Sequence, residues 1–432
     1  MNIRLYNAYI LTMEKDRAIF KGELWVKDEK IVYVLNEEEL DCEMRGKDFP
    51  KITWDRQIDC EGNLLMPGFK NAHTHSAMTL MRSLADGMPL DKWLHEKIFP
   101  TEEKLTFEEI YQFTKLAILE YLSSGITSIF DMYLMPEATA KACEELGMRC
   151  VLVSGLNDFT FSVEQIEAYY MKWNQKKSLI SYQLGCHAEY TCSKELLSKL
   201  SALAHKLRAP VYMHMSETSK EVRECIERYG MTPAVFMDSL GMFDFGGGAY
   251  HCVHFTDEDM EVFRRRRLYV ITNPGSNAKL ASGVAPIKDF MNKKIPIAIG
   301  TDGAASNNCL DMFKEMFLLL GLSNLREMDP SSLEAMEILR MATVNGAQAM
   351  KLNKADTLSK GKLADIIMID LQKPNMQPIH NMGKNIVYSG SKTNVKMTMI
   401  NGKILYYAGE YYLGEEVSEI YDQCNEIVKR LL

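Results

Sequence analysis

The sequence predicts an α/β fold: a (β/α)8 TIM barrel with a small β-sandwich domain built from both termini. Three observations point there. In the middle of the chain, eight apolar strand-like runs alternate with helical stretches, the pattern of parallel βαβ units. Both ends are β-rich and separated by turn residues, without helical periodicity. His, Asp and Glu residues fall at the C-terminal ends of the predicted strands, the face on which such barrels build their sites.

At the N-terminus, Arg4 to Leu11, Gly22 to Val26 and Lys30 to Val34 read as short strands parted by charged turns. Near the C-terminus, Ala364 to Asp370, Val395 to Ile400 and Lys403 to Tyr407 read the same way, with Asn401-Gly402 as a strong hairpin signal. The simplest arrangement joins the two ends, residues 1–65 with 356–432, into one composite domain, and leaves 66–355 as the barrel. The barrel strands are expected at Leu64 to His75, Ile126 to Asp131, Cys150 to Gly155, Tyr182 to His187, Pro210 to His214, Ala249 to His254, Leu268 to Thr272 and Pro296 to Asp302. Helices are expected between them, at Phe107 to Ser123, Pro136 to Gly147, Ser193 to Leu207 and Glu258 to Arg266. In the first, Ile110, Phe113, Leu116 and Ala117 recur at helical spacing.

Composition narrows the function classes. With 432 residues, 47% hydrophobic and 25% charged, the chain is long enough for one large and one smaller packed unit. A formal net charge of -8 argues against a nucleic-acid binder or an anionic-membrane binder. The basic run Arg264 to Arg267 follows the acidic Asp257 to Asp259 and reads as a solvated helix end. Ten Cys without a C-x-x-C pair suggest reduced thiols and a cytoplasmic setting. The start, MNIRLYNAYI, lacks the pattern of a signal peptide, and no apolar stretch approaches the roughly 18 residues of a membrane span. The expected partner is therefore a small-molecule substrate, not nucleic acid or membrane. A homo-oligomer is compatible with the sequence, which leaves the assembly state open.

The chemistry sits at the strand ends. In NAHTHS (Asn71 to Ser76), His73 and His75 are two apart and project to one face of a strand, as paired imidazoles would for a zinc-like ion. His214 ends the fifth strand and is a third nitrogen ligand. Glu217, three residues on, reaches the same site only if the chain turns after His214, and is better placed as a proton shuttle than as a ligand. In YHCVH (Tyr250 to His254), His251 and His254 cannot share a strand face. His251 is the preferred catalytic residue, and His254 lies beside it or serves the next helix start. Asp302, in GTDG, either completes a metal shell or holds the attacking water. His187, after the fourth strand, is a candidate substrate contact.

Together these segments resemble the amidohydrolase superfamily, and more closely its methylthioadenosine/S-adenosylhomocysteine deaminase group with the chlorohydrolase and guanine deaminase relatives. The resemblance covers nearly the whole chain. It runs through PGFKNAHTHSAMTLMR (Pro67 to Arg82), Trp93-Leu94, PTE (Pro100 to Glu102), His187, HMSET (His214 to Thr218), HCVH (His251 to His254), NPGSNAKL (Asn273 to Leu280), GTDGAASNN (Gly300 to Asn308) and TVNGAQAM (Thr343 to Met350). It implies one divalent metal, Zn by preference, held by His73, His75, His214 and Asp302; the same shell also suits Fe, Mn or Ni. Two-metal members usually carry a modified Lys on strand four, and SYQLGCHAEY (Ser181 to Tyr190) has none. The resemblance further implies hydrolytic deamination of an adenosine-type nucleoside to its inosine analogue plus ammonia. Glu217, His251 and Asp302 would be catalytic, and Glu102, His187 and Glu217 substrate-binding. Arg82 lies near the mouth with no assigned role.

One departure bears on the substrate. Relatives that accept S-adenosylhomocysteine place an Arg at the end of strand three; here RCVLVSG (Arg149 to Gly155) has Ser154, and NDFTFS (Asn157 to Ser162) has no Arg. A neutral 5′ group, as in methylthioadenosine, 5′-deoxyadenosine or adenosine, is at least as well accommodated, with Phe159 and Phe161 as candidate pocket walls. Two alternatives stay open: deamination or dechlorination of another heterocycle (guanine, cytosine, an s-triazine), and a non-catalytic scaffold, which the intact ligand set disfavours.

Overall fold

The computed structural model describes residues 1–39, 52–84, 86–175 and 178–431. Its barrel is built from eight strands: β6 (Phe69–Thr74), β7 (Ile126–Met132), β8 (Arg149–Val153), β9 (Ile180–Ala188), β10 (Val211–Met215), β11 (Gly247–His251), β12 (Tyr269–Thr272) and β13 (Ile297–Ile299). They run in sequence order, each parallel to the next. Strands such as β7, β8, β10 and β11 are buried at every residue, because both of their faces are covered. The interior is filled by Ala72, Phe130, Val151, Tyr212, Tyr250 and Ile271, so the barrel is a packed core.

The crossovers are helices whose starts are written in the sequence. Thr106 and Glu109 form a capping box before Phe107–Ser123; Ser193 caps Lys194–Leu207, and Thr256 with Asp259 caps Asp257–Arg266.

The circle closes where β13 meets β6. There the Asp302 N–H donates to the His73 carbonyl at 3.0 Å, and the Asn71 side chain exchanges hydrogen bonds with Thr301 at 2.7 and 2.9 Å. Gly300 permits this approach, since a Cβ on it would lie 2.6 Å from the His73 nitrogen.

Among the described residues, both chain ends join one mixed sheet of nine strands. Its members are β1 (Asn2–Ile10), β2 (Phe20–Lys27), β3 (Lys30–Asn36), β4 (Arg56–Asp59), β5 (Leu64–Pro67), β14 (Ile366–Ile369), β15 (Val395–Ile400), β16 (Lys403–Tyr407) and β17 (Glu410–Tyr411). The order is β17-β16-β15-β14-β5-β1-β2-β3, with β4 on β1. β5 thus lies between an early and a late strand, parallel to β1 and antiparallel to β14. The expected strand Leu64 to His75 is in fact two. β5 pairs in this sheet, β6 in the barrel, and Gly68 stands between them, its Cα pressed so close to Thr127 that a Cβ would clash at 2.1 Å. The Asn401-Gly402 hairpin is present, with both residues at positive φ as such turns need.

Sheet and barrel are locked by charge. At the start of β8, Arg149 grips Asp365 through Nε (2.6 Å) and Nη2 (2.9 Å), and the Asn401 N–H donates to the same carboxylate at 2.8 Å. Both side chains are buried, so removing one strands the other charge. Asp365→Ala is expected to lower stability by about 3–5 kcal/mol in denaturant unfolding. The paired change Arg149→Met with Asp365→Leu should cost much less; equal losses would show that burial, not pairing, matters there.

Candidate metal centre and active site

The site is assembled from strand ends. His73 lies within β6, and His75 stands one residue past its end, yet both rings enter the same space, 4.8 Å apart between centroids. His214 sits in β10, and its ring lies 4.8 Å from that of His73. His251 is the last residue of β11. Asp302 lies three residues beyond β13, not at its end as expected, and is carried to the site by the seam bond to His73. Four non-glycine residues at these ends, Ser216, His251, Cys252 and Asp302, have φ between 50° and 68°. Such left-handed residues cost roughly 1–3 kcal/mol each and persist only where surrounding bonds enforce them.

The structure brings the expected residues together. One donor atom from each of His73, His214, His251 and Asp302 lies within 4.8 Å of the others, and all four residues are buried. His75 reaches the group through Asp302, with its Nε2 3.2 Å from Oδ1; His73 Nε2 is 3.4 Å from the same oxygen. Donors around a tetrahedral ion with bonds near 2.0–2.1 Å lie about 3.4 Å apart, so these contacts already have ligand-to-ligand spacing. His251, kept outside the ligand shell by sequence reasoning, is here a fifth neighbour of it.

Hydrogen bonds fix which nitrogen each ring presents. Nδ1 of His75 bonds to the Met132 carbonyl, Nδ1 of His214 to the His187 carbonyl at 2.7 Å, and Nδ1 of His251 to Asn277 Oδ1 at 2.8 Å. In the neutral rings these bonds place the proton on Nδ1 and leave the Nε2 lone pair for the site. His73, fully buried and stacked on Tyr250 at 3.7 Å, has no hydrogen-bond partner on either nitrogen. A buried polar atom left bare is costly, and a cation among these donors would satisfy it. The donor set therefore fits a divalent metal.

Electrostatics agree at His73 and His214. Burial drives His73 down to about 3 and His187 to about 4, and holds His214 well below its ordinary value, the neighbouring imidazoles adding to the effect. Neutral imidazoles are the form that binds metal. Burial also opposes charge on His75, but Asp302 outweighs it and lifts the ring to about 9. Burial would raise Asp302; His73 and His75 instead hold it well below the carboxylate range. Two serines steady its Oδ2, Ser276 and Ser306, each donating at 2.7 Å, while the Gly303 N–H donates to Oδ1 at 2.8 Å.

Glu217 faces this cluster, its Oε2 3.8 Å from His251 Nε2, with Ser282 donating to Oε1 at 3.3 Å. Burial raises its carboxyl, against the pull of His251. Glu102 borders the same space. Burial lifts it to about 7, with Tyr133 and His75 pulling the other way. The Tyr133 hydroxyl is buried, and its ring lies 6.4 Å from that of His75. His187 touches the cluster through His214, 4.9 Å between centroids, and bonds to Thr191.

Other candidates lie elsewhere. His254 bonds through Nε2 to the Ser282 carbonyl at 2.8 Å and is not among the clustered donors. Arg82 ties the Asn308 carbonyl (2.7 Å) to Glu120 (2.6 Å), which makes it a clamp between a loop and the helix Phe107–Ser123. Phe159 is 91% exposed, and Phe161 packs edge-on to Tyr169. Ser154 bridges to Gly185 by two bonds, 2.7 and 2.8 Å, so its hydroxyl is occupied within the sheet.

Sequence reasoning missed Asn277, Ser276, Ser282, Tyr133 and two buried carboxylates. Asn277 and Ser276 stood in a quoted motif without a role. One of the carboxylates, Glu315, accepts from the Gly275 N–H at 2.8 Å and from Asn307 at 2.7 Å, and so braces the short helix Pro274–Lys279 that carries Ser276 and Asn277. Burial raises it to about 7. Nothing local in the sequence separates it from any helical Glu.

A model of the amidohydrolase family matches residues 64–405. A 5-methylthioadenosine/S-adenosylhomocysteine deaminase from Thermoanaerobacter pseudethanolicus is 37% identical over 414 residues, 94% of each chain. A 5′-deoxyadenosine deaminase from Methanopyrus kandleri is 37% identical over 418 residues, 95% of each chain. The crystal structure of an adenosine deaminase from Xanthomonas campestris with bound zinc superposes with a TM-score of 0.92 at 29% identity, covering all of this chain and 98% of that one.

Elemental analysis of the purified protein is expected to find about one divalent ion per chain, and His73→Ala, His214→Ala and Asp302→Ala are each expected to lose most of it. Full metal retention in all three variants would remove these residues from the shell.

Proposed function

The chain belongs to the amidohydrolase family, and from that premise we propose that it is a metal-dependent hydrolytic deaminase of adenosine-type nucleosides, yielding the inosine analogue and ammonia. The observation that carries this reading is the convergence of Glu217, His251 and Asp302 on the His donor cluster, with Glu102 at its edge. The relatives named for methylthioadenosine, S-adenosylhomocysteine and 5′-deoxyadenosine support the substrate class.

In this reading His73, His75, His214 and Asp302 hold one divalent ion, Zn by preference. When bound, such an ion supplies Lewis acidity that makes water a competent nucleophile near neutral pH. His251 Nε2, 4.0 Å from Asp302 Oδ2, and Asp302 itself orient the attacking water and accept its proton. Asn277 keeps the proton of the neutral ring on Nδ1 of His251, which leaves Nε2 as the base. Water adds to C6 of the purine. Glu217, whose carboxyl is pushed up by burial, gives a proton to ring N1 as C6 becomes tetrahedral. The proton that His251 and Asp302 took from the water passes to the amino group, which leaves as ammonia, while the C6 hydroxyl returns its proton to Glu217 and becomes the 6-oxo group. Glu102 takes the ribose hydroxyls, and His187 contacts the substrate from the end of β9.

The 5′ end follows from Ser154. With that hydroxyl bonded to Gly185, the end of β8 offers no cation for a substrate carboxylate. Neutral 5′ groups are therefore preferred. Deamination or dechlorination of other heterocycles remains the second reading, since the donor cluster alone suits it; Glu102 favours the ribosyl substrates.

The test is ammonia release by the zinc-loaded enzyme from adenosine, 5′-deoxyadenosine, methylthioadenosine, S-adenosylhomocysteine, adenine, guanine and cytosine. Turnover is expected to be highest for the nucleosides with neutral 5′ groups; activity on free bases alone would replace this reading with the second. Glu217→Gln is expected to lower kcat by about 10²–10⁴ with its metal content unchanged. Full activity in that variant would dismiss Glu217 as the proton donor.

A further inference from the structure

We propose that Glu221 is the positioning residue of Glu217: it aims the proton donor at the substrate by holding the backbone on which that donor sits. This rests on the reading of Glu217 given above.

The chain leaves β10 at Met215 and enters the helix Ser219–Tyr229 four residues later. Between them Ser216 adopts φ +51°. A non-glycine residue there is unfavourable by roughly 1 kcal/mol or more, so something must hold the turn. Thr218 is the helix cap, and its hydroxyl accepts from the Glu221 N–H at 3.2 Å. In an ordinary capping box the acidic side chain at this third position reaches back to the N–H of the cap residue. Here it passes Thr218 and reaches further. Glu221 Oε1 accepts from the Ser216 N–H at 2.6 Å and Oε2 from the Glu217 N–H at 2.8 Å. Both oxygens are used, so the carboxylate has one orientation.

The cradle is buried. Glu221 is 5% exposed and Glu217 7%. The other side of the turn is tied down as well: the Cys252 N–H donates to the Met215 carbonyl at 3.1 Å, and the His254 N–H to the Ser216 carbonyl at 2.9 Å. His254 also bonds to the Ser282 carbonyl, and Ser282 donates to Glu217. Every link ends on the turn before Glu217 or on its carboxylate. A carboxylate whose only task was to start the helix would stop at Thr218. This one grips the two peptide groups that decide where the Glu217 side chain leaves the backbone, and a displacement of about 1 Å at a reacting group can cost about 10²-fold in rate.

The test compares Glu217→Gln, Glu221→Gln, Glu221→Asp and the double variant Glu217→Gln/Glu221→Gln. Each is a full-length, zinc-loaded enzyme, assayed for kcat, KM and metal content with the best nucleoside of the panel. Glu221→Gln puts an amide donor against a peptide N–H. It is expected to lower kcat by about tenfold or more while KM moves by less than about threefold and metal content holds. In the Glu217→Gln background the same change is expected to alter kcat by less than about twofold, because the group it aims is already gone. Glu221→Asp keeps the charge but falls short by one methylene; it is expected to be intermediate, and it serves as the probe should the Gln variant not fold. Multiplicative losses in the double variant, unchanged kcat in both Glu221 variants, or loss of metal in step with kcat would overturn the proposal. Full activity in Glu217→Gln would overturn the reading beneath it, an outcome distinguishable from failure of the Glu221 variants alone.

Discussion

The closing seam between the last barrel strand and the first is the constraint on which the site depends. The backbone hydrogen bond from the Asp302 N–H to the His73 carbonyl does two things at once. It completes the circle of strands, and it sets a carboxylate beside an imidazole whose chain positions are 229 residues apart, from 302 less 73. Asn71 and Thr301 lock the same register, and Gly300 allows the backbones to meet. A slip of one residue would turn Asp302 away from the donors. The other donors then need only stand at the ends of neighbouring strands, which the barrel supplies without further instruction.

Within that frame the cluster holds far more basic nitrogen than a dry cavity can charge. Several imidazoles share one buried volume; burial disfavours the proton on His73 and His214, whereas Asp302 favours it on His75. Backbone carbonyls at Met132 and His187, and the amide of Asn277, choose the tautomers. The strained residues at the strand ends show the same economy. Ser216, His251, Cys252 and Asp302 are bent out of strand geometry where the chain must change direction to aim a side chain inward.

Much of this was legible in the sequence, for physical reasons. Apolar runs ending in His or Asp mark strands whose final residues face a polar cavity, and the capping residues of the main helices are local signals. The Asn-Gly turn needs only its two neighbours to be recognised. What escaped depends on partners distant in the chain. Gly68 divides one apolar run between two sheets because of Thr127, and Asp302 arrives three residues after its strand because of His73. Tyr133, Asn277 and Glu315 gain meaning only from what lies opposite them. Glu221 is the intermediate case. Its spacing from Thr218 is visible, but its reach past the cap is not, since that depends on the left-handed turn at Ser216.

The strand order of the terminal sheet has a consequence for how the molecule comes into being. β5 sits between β1 and β14, so an early strand keeps one edge open until a late one arrives. On the ribosome about 300 residues separate the two, or roughly 15–60 s of synthesis at 5–20 residues per second. Through that interval the nascent chain carries a fully apolar strand, Leu64–Pro67, with unpaired peptide groups on the side that awaits β14. The whole barrel is translated in the meantime. Completion of the terminal sheet therefore waits on strands that emerge only after the whole barrel has been translated.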